Sequence, residues 1–222
     1  MFDKPLLTWD NWPIVVISIG MLAAAIIDWW KFKVPNKLTF PLILSGWILG
    51  LANDFGLGAC RTIVTGEVEM NMGFGFWFGS AVFGTFLGCA LLIPVYAIGG
   101  MGAGDVKMTM GFGSWIGAFY GVDAIGVNTD FPDATSIIFW AFLYGVLAGG
   151  VIGLGMILAR GQFQQNSQHL RAIIGDWFQS SGIGEIADKA NARRPRWHRL
   201  PYGVPLCIGF LGYLMYLHNF NF

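Results

Sequence analysis

Two acidic residues stand out because of where they lie. Asp105 follows Gly102-Ala103-Gly104 in a glycine-rich stretch between two strongly apolar segments, and Asp28 closes an apolar run that leads into Lys31, Lys33 and Lys37. A charge at membrane depth costs about 2.5–3.5 kcal/mol on insertion scales, so an acid kept there points to function and to a partner. Two carboxyls brought together in a partly desolvated site cannot both ionise easily, and the pair shares a proton and titrates as a unit. That state suits peptide hydrolysis. The ionised member takes a proton from water, and the water attacks the scissile carbonyl. The protonated member polarises the carbonyl oxygen and helps move a proton towards the leaving amine. This chemistry requires no metal, cofactor or nucleophilic side chain.

Each acid alone also has a plainer reading. Asp105 suits a helix N-terminal acid stabilised by the helix dipole, and Asp28 suits an interfacial residue beside Lys31. Jointly these readings weaken, because both acids share a side and one sits among glycines. Gly102 and Gly104 are expected to flank a tight turn where a β-carbon would block backbone or substrate from Asp105. Lys107, two residues on, either favours one ionised carboxylate or faces lipid headgroups.

The elements that must position these acids are apolar segments. Of 222 residues, 55% are hydrophobic and 12% charged, where a soluble domain carries about a quarter charged residues. The fold class is therefore all-α, a polytopic membrane protein forming one membrane-embedded domain over 1–222. Formal net charge is zero, so nothing argues for nucleic acid. A span needs about 20 apolar residues. Segments at about 13–30, 38–52, 73–98, 106–122, 136–159 and 201–218 give six transmembrane helices. Eleven of the thirteen lysines and arginines fall after segments one, three and five, so the positive-inside rule puts those connections in the cytosol and both termini outside. Asp28 and Asp105 then share the cytoplasmic edge of the membrane.

Other features are subordinate. Cys60, Cys89 and Cys207 form no C-x-x-C pair and read as apolar packing. His169, His198 and His218 are scattered and form no metal-ligand set. The start is not a removable signal peptide, because its apolar run ends in Asp28-Trp29-Trp30 rather than a cleavage site. Glycines at four-residue spacing (Gly84 and Gly88; Gly113, Gly117 and Gly121; Gly145, Gly149 and Gly153) predict close helix packing within the monomer, with no support for an oligomer. The cytosolic loop 161–200 holds a candidate amphipathic helix over 162–191 and a basic run, 193–199, that reads as an anchor at anionic headgroups. Trp29, Trp30, Trp115, Trp197 and Tyr202 read as interfacial aromatics, and Trp29 and Trp30 are also placed to line a cleft.

The motifs then resemble a family. Gly102-Ala103-Gly104-Asp105 matches the G-x-G-D motif of intramembrane aspartic proteases. Asp28, followed by basic residues and Val34-Pro35-Asn36-Lys37-Leu38-Thr39, is similar to the D-x(several)-[IV]-P-N-x-L-[ST] signature of type IV prepilin peptidases. Pro201-Tyr202-Gly203-Val204-Pro205 resembles that family's P-[FY]-G-x-P turn. The resemblance implies a membrane aspartic endopeptidase, with Asp28 and Asp105 as catalytic pair. Gly102, Gly104, Lys107, Pro35, Asn36, Pro201 and Gly203 would shape the site or bind substrate. The implied substrate is a prepilin-like precursor with a basic leader and an apolar helix, cut at the cytoplasmic face of the inner membrane during pilus assembly and protein secretion. Full-length bacterial members carry paired C-x-x-C motifs in a cytosolic domain before the first aspartate. Only 27 residues precede Asp28 and no such cysteines exist. The resemblance is thus to the short, peptidase-only branch serving Flp-type pili or archaeal pilin- and flagellin-like substrates, without methyltransferase activity.

Two other classes compete. Presenilin-like proteases share G-x-G-D but pair it with Tyr-Asp and a Pro-Ala-Leu turn, whereas this chain has Ile27-Asp28 and no Pro-Ala-Leu. An ion- or proton-coupled transporter would place its acids near the midplane, within paired repeats; these acids are interfacial and no repeat is visible.

Overall fold

The computed structural model describes residues 11–31, 33–58, 64–65, 68–69, 74–97, 101–122, 133–159 and 202–219. Among them are six helices: α1 (Trp12–Lys31), α2 (Asn36–Asp54), α3 (Phe76–Ala97), α4 (Ala103–Tyr120), α5 (Ala134–Ala159) and α6 (Gly203–Asn219). Between α2 and α3, Val64–Thr65 (β1) and Val68–Glu69 (β2) form a small antiparallel pair, with Val64 opposite Glu69. Pro201, Cys60 and the 161–200 region with its candidate amphipathic helix, His169, Trp197 and His198 lie outside the described residues, as does the His218 side chain.

Helix α4 is the axis of the bundle. Asp105, Val106, Met108, Thr109 and every residue from Gly111 to Tyr120 are buried. α3 packs on α4 antiparallel, at backbone contact. A β-carbon on Gly84 would collide with the Gly113 carbonyl and one on Gly113 with the Gly84 carbonyl, while Gly88 and Gly117 lie against the Thr109 and Ser80 carbonyls. Small residues permit this approach in lipid, where dispersion and packing rather than water drive association. α2 runs parallel to α4, with Leu42 against Gly111 and Gly46 against Ser114. The Trp115 indole N–H binds the Leu42 carbonyl at 2.9 Å, and Asn53 Nδ2 binds the Ala118 carbonyl at 2.8 Å. Trp115 is therefore a core residue, not an interfacial one: its N–H has a buried partner and its ring meets Trp12 edge-on. α5 and α6 form a second antiparallel pair through Gly145–Gly209 and Gly149–Pro205. The stacked Phe112 and Phe210 rings, 4.3 Å apart, join α6 to the axis.

The glycine stripes thus act inside the chain, Gly153 excepted, where a β-carbon meets no described atom within 4 Å. Gly121 packs against Phe76 of α3 and also ends α4 with φ 73°, a conformation other residues rarely adopt.

The sequence predicts six crossing helices; three, α1, α3 and α5, are long and apolar enough by themselves, and α6 has a shorter apolar run, Gly203–Leu217. The multiple apolar helices make this a polytopic membrane protein. α4 carries Asp105, Lys107 and several glycines, and it tolerates them because neighbouring helices cover it. Successive helices alternate in direction. The C-terminal ends of α1, α3 and α5 and the N-terminal ends of α2, α4 and α6 consequently share one end of the bundle, and the opposite helix ends share the other.

Candidate active site

Asp28 is the last rung of the buried face of α1. That face runs through Ile14, Ile17, Met21, Ala24 and Ala25 at helical spacing, so the same periodicity that buries the aliphatics turns Asp28 inward and leaves it 4% exposed. Its neighbours Trp29 and Trp30 point outward, 61% and 78% exposed. They do not line the acid. Asp105 is in the first turn of α4, 5% exposed. The two carboxyls, from separate helices, lie within electrostatic reach of each other.

Each is held through one oxygen by a backbone amide. Gly203 N–H, at the start of α6, donates to Asp28 Oδ2 at 2.9 Å. Gly102 N–H donates to Asp105 Oδ2 at 3.1 Å, while Asp105 N–H returns a bond to the Gly102 carbonyl at 3.2 Å. Asp105 therefore sits at the positive end of its own helix, and the Asp28 carboxyl, from the last turn of α1, reaches the positive end of α6. Asp105 Oδ1 is buried and has no hydrogen-bond partner.

The glycines serve close approach more than turn geometry. Gly102 is the N-cap of α4 with an extended backbone (φ −86°, ψ 153°), open to any residue, and a β-carbon there would lie 3.4 Å from Asp105 Oδ2. The expected tight turn flanked by Gly102 and Gly104 is absent, because the helix starts at Ala103 and takes Gly104 into its first turn. Gly104 lies against buried Val34, where a β-carbon would come within 3.0 Å of the valine Cβ and 3.2 Å of its backbone N and O. Gly203 is tighter still at Asp28: a β-carbon would sit 2.9 Å from Oδ2 and 3.1 Å from Cβ.

Lys107 engages neither acid. Its ammonium donates to Asn36 Oδ1 at 2.8 Å and lies 5.0 Å from the centroid of the Phe40 ring. Lys107 and Asn36 therefore tie the start of α2 to the start of α4. Pro35 is the N-cap of α2, and its carbonyl accepts from the N–H groups of Leu38 and Thr39. Tyr202, expected at the lipid interface, is within electrostatic reach of Asp105; it directly precedes the residue that holds Asp28. Val34 and Thr39 stand in the signature that follows Asp28, but sequence reasoning gave neither a role. Thr39 is a buried hydroxyl without a partner. No group of three or more metal-ligating side chains occurs among the described residues.

Two buried carboxyls, each oriented through one oxygen and within electrostatic reach of each other, have the means to share a proton and activate a water. Comparison with known proteins agrees with that chemistry. The family model for the type IV leader peptidase family matches residues 15–158, a stretch containing both acids and ending before Gly203. Neither the curated proteins nor the solved structures gave a match to this chain. With the match spanning well over half of the sequence, the chain belongs to the type IV leader peptidase family, the aspartic prepilin peptidases.

Proposed function

We propose that Asp28 and Asp105 are the catalytic dyad of this peptidase, and that it removes the basic leader of Flp-type or archaeal pilin- and flagellin-like precursors at the cytoplasmic membrane face. One observation carries the assignment: two carboxyls from different helices are buried within electrostatic reach of each other, each oriented through one oxygen by a backbone amide. In the reaction, one carboxylate takes a proton from water as the water oxygen attacks the scissile carbonyl carbon. The other, protonated, donates to the carbonyl oxygen. Collapse of the tetrahedral intermediate breaks the C–N bond and passes a proton to the leaving amine.

The membrane arrangement follows the charges. Lys31, Lys33, Lys37 and Lys107 lie at the bundle end that carries the acids, and the positive-inside rule makes that end cytoplasmic. All six helices then cross the bilayer as one domain with both termini outside, and α4 crosses while enclosed by the others. A precursor whose basic leader meets an apolar helix presents its junction at the depth of Asp28 and Asp105. Pro35, Asn36, Lys107, Gly102, Gly104 and Gly203 shape the frame around that depth, a role the motif resemblance extends to Pro201. Co-expression with a candidate prepilin, read as a leader-sized gel shift, tests the assignment. Wild type should process the precursor, and Asp28→Asn and Asp105→Asn should insert normally and leave it uncut. Processing by either variant overturns the dyad.

A further inference from the structure

We propose that Thr39 is a water-positioning residue of this site, its hydroxyl holding the attacking water from below the two carboxyls; the inference rests on the dyad reading above. Thr39 is 1% exposed, and its Oγ1 has no hydrogen-bond partner. Ser18, Ser45, Thr85, Thr109 and Ser114 behave differently, each donating to a carbonyl of its own helix three or four residues back. That back-bond is the ordinary recourse of a hydroxyl inside a helix. For Thr39 the acceptors would be the Pro35 and Asn36 carbonyls; it bonds to neither, and the former already takes the N–H groups of Leu38 and Thr39 at 3.0 and 3.3 Å. A buried hydroxyl left unpaired is costly, so its retention calls for a partner that the bare protein does not supply.

Helical register places this hydroxyl. Leu42, three residues on and on the same face of α2, lies against Gly20 of α1 and Gly111 of α4. From that level towards the site end, α1 continues through Ala24 and Ala25 to Asp28, and α4 through Met108 to Asp105, all buried. Thr39 lies between those levels, in the seam of the three helices. Side chains on α2 and α4 lean towards their own N-termini, which is the site end for both. The Thr39 hydroxyl therefore comes within about one helical turn, about 5.4 Å, of the carboxyl level. Two hydrogen bonds of about 2.8 Å through one water span the same distance. Asp105 Oδ1 is the other unpartnered atom at this end. A buried water requires two to four polar partners, and Thr39 Oγ1, Asp105 Oδ1 and the second oxygen of Asp28 provide three. Such a water lies where the dyad needs its nucleophile.

The test is leader-cleavage kinetics of the purified full-length protein on a prepilin substrate, comparing wild type with Thr39→Val, Thr39→Ser and Asp105→Asn, each with its melting temperature. Thr39→Val keeps the shape and removes the hydroxyl. It should lower kcat about 10- to 100-fold, the worth of one hydrogen bond to a charged group, with KM within about twofold and an unchanged or higher melting temperature. Thr39→Ser should recover kcat to within about threefold. Wild-type kcat in Thr39→Val, a lower melting temperature in that variant, or a serine variant as slow as the valine one each overturn the proposal. Cleavage by Asp105→Asn would remove the dyad itself; an inactive Asp105→Asn beside a fully active Thr39→Val removes the role of Thr39 alone.

Discussion

Carboxyl groups stand at helix ends on both faces of this bundle, and the two faces treat them differently. At the far end, Asp54 closes α2 and accepts the N–H groups of Trp77 and Phe78, one on each oxygen, at 3.0 and 3.1 Å. Asp133 caps α5 through the Ser136 N–H at 2.9 Å. At the other end, Asp28 and Asp105 each take a single amide, and Asp105 keeps a buried oxygen with no partner. All four answer the same need, since the first N–H groups of a helix lack intrahelical acceptors. The Asp54 cap uses both of its oxygens. A pair meant for chemistry is oriented through one oxygen and holds the other in reserve.

The sharpest way to break that comparison is to neutralise acids at both ends. Asp28→Asn or Asp105→Asn should lower leader cleavage by at least about 10³-fold, within the range lost with an acid–base group. The melting temperature should hold, because the amide oxygen still accepts from Gly203 or Gly102 and a buried charge has gone. Asp54→Asn should keep wild-type kcat in the folded protein. Loss of cleavage in a well-folded Asp54→Asn would erase the distinction.

A finer version compares two glycines that face the acids. Gly203→Ala puts a β-carbon 2.9 Å from Asp28 Oδ2, closer than real β-carbons come. Displacement of about 1 Å at a reacting group costs on the order of 10²-fold, so kcat should fall 10- to 100-fold. Gly102→Ala puts its β-carbon at 3.4 Å from Asp105 Oδ2, at φ −86°. It should stay within about threefold of wild type. Equal losses in the two would mean that the motif glycines act through something other than the space beside each carboxyl.

These contrasts also show how far the sequence can be read. Asp28 was legible because it is the acid that closes an apolar run before a basic stretch, and Asp105 because it lies on a glycine-rich break between two apolar segments. Their common end followed from where the lysines and arginines fall. Trp115 was misread because its amphipathic ring suits an interface equally well, and only the tertiary acceptor on Leu42 makes it a core residue. The contact made by Lys107 was hidden for a related reason. Its sequence neighbour is Asp105, but its partner Asn36 lies 71 residues away. The α4 start was misplaced because Gly104, which suggests a turn, instead lies in the first helical turn against Val34, and this requires the neighbouring element to be known.

The remaining predictions concern the far end, where effects fall on stability. Asp54→Ala removes two charge-assisted caps from α3 and should cost about 2 kcal/mol, the upper range for a cap, with kcat unchanged. Asp133→Ala should cost about 1 kcal/mol at neutral pH, and its pH dependence tests the cause. Burial raises the Asp133 pKa, but hydrogen bonds from Ser136 and Thr135 outweigh it and hold the carboxyl below its ordinary value. A group depressed in the folded state stabilises the protein above its unfolded pKa of about 3.9, and that contribution drains as pH falls through the lower folded value. The stability gap between wild type and Asp133→Ala, measured by denaturant unfolding in detergent, should therefore be constant above about pH 5 and narrow below about pH 4. A gap that stays level into the acid range would show that the Asp133 cap works as well protonated as ionised, and the contrast between capping and reacting carboxyls would lose its electrostatic basis at this position.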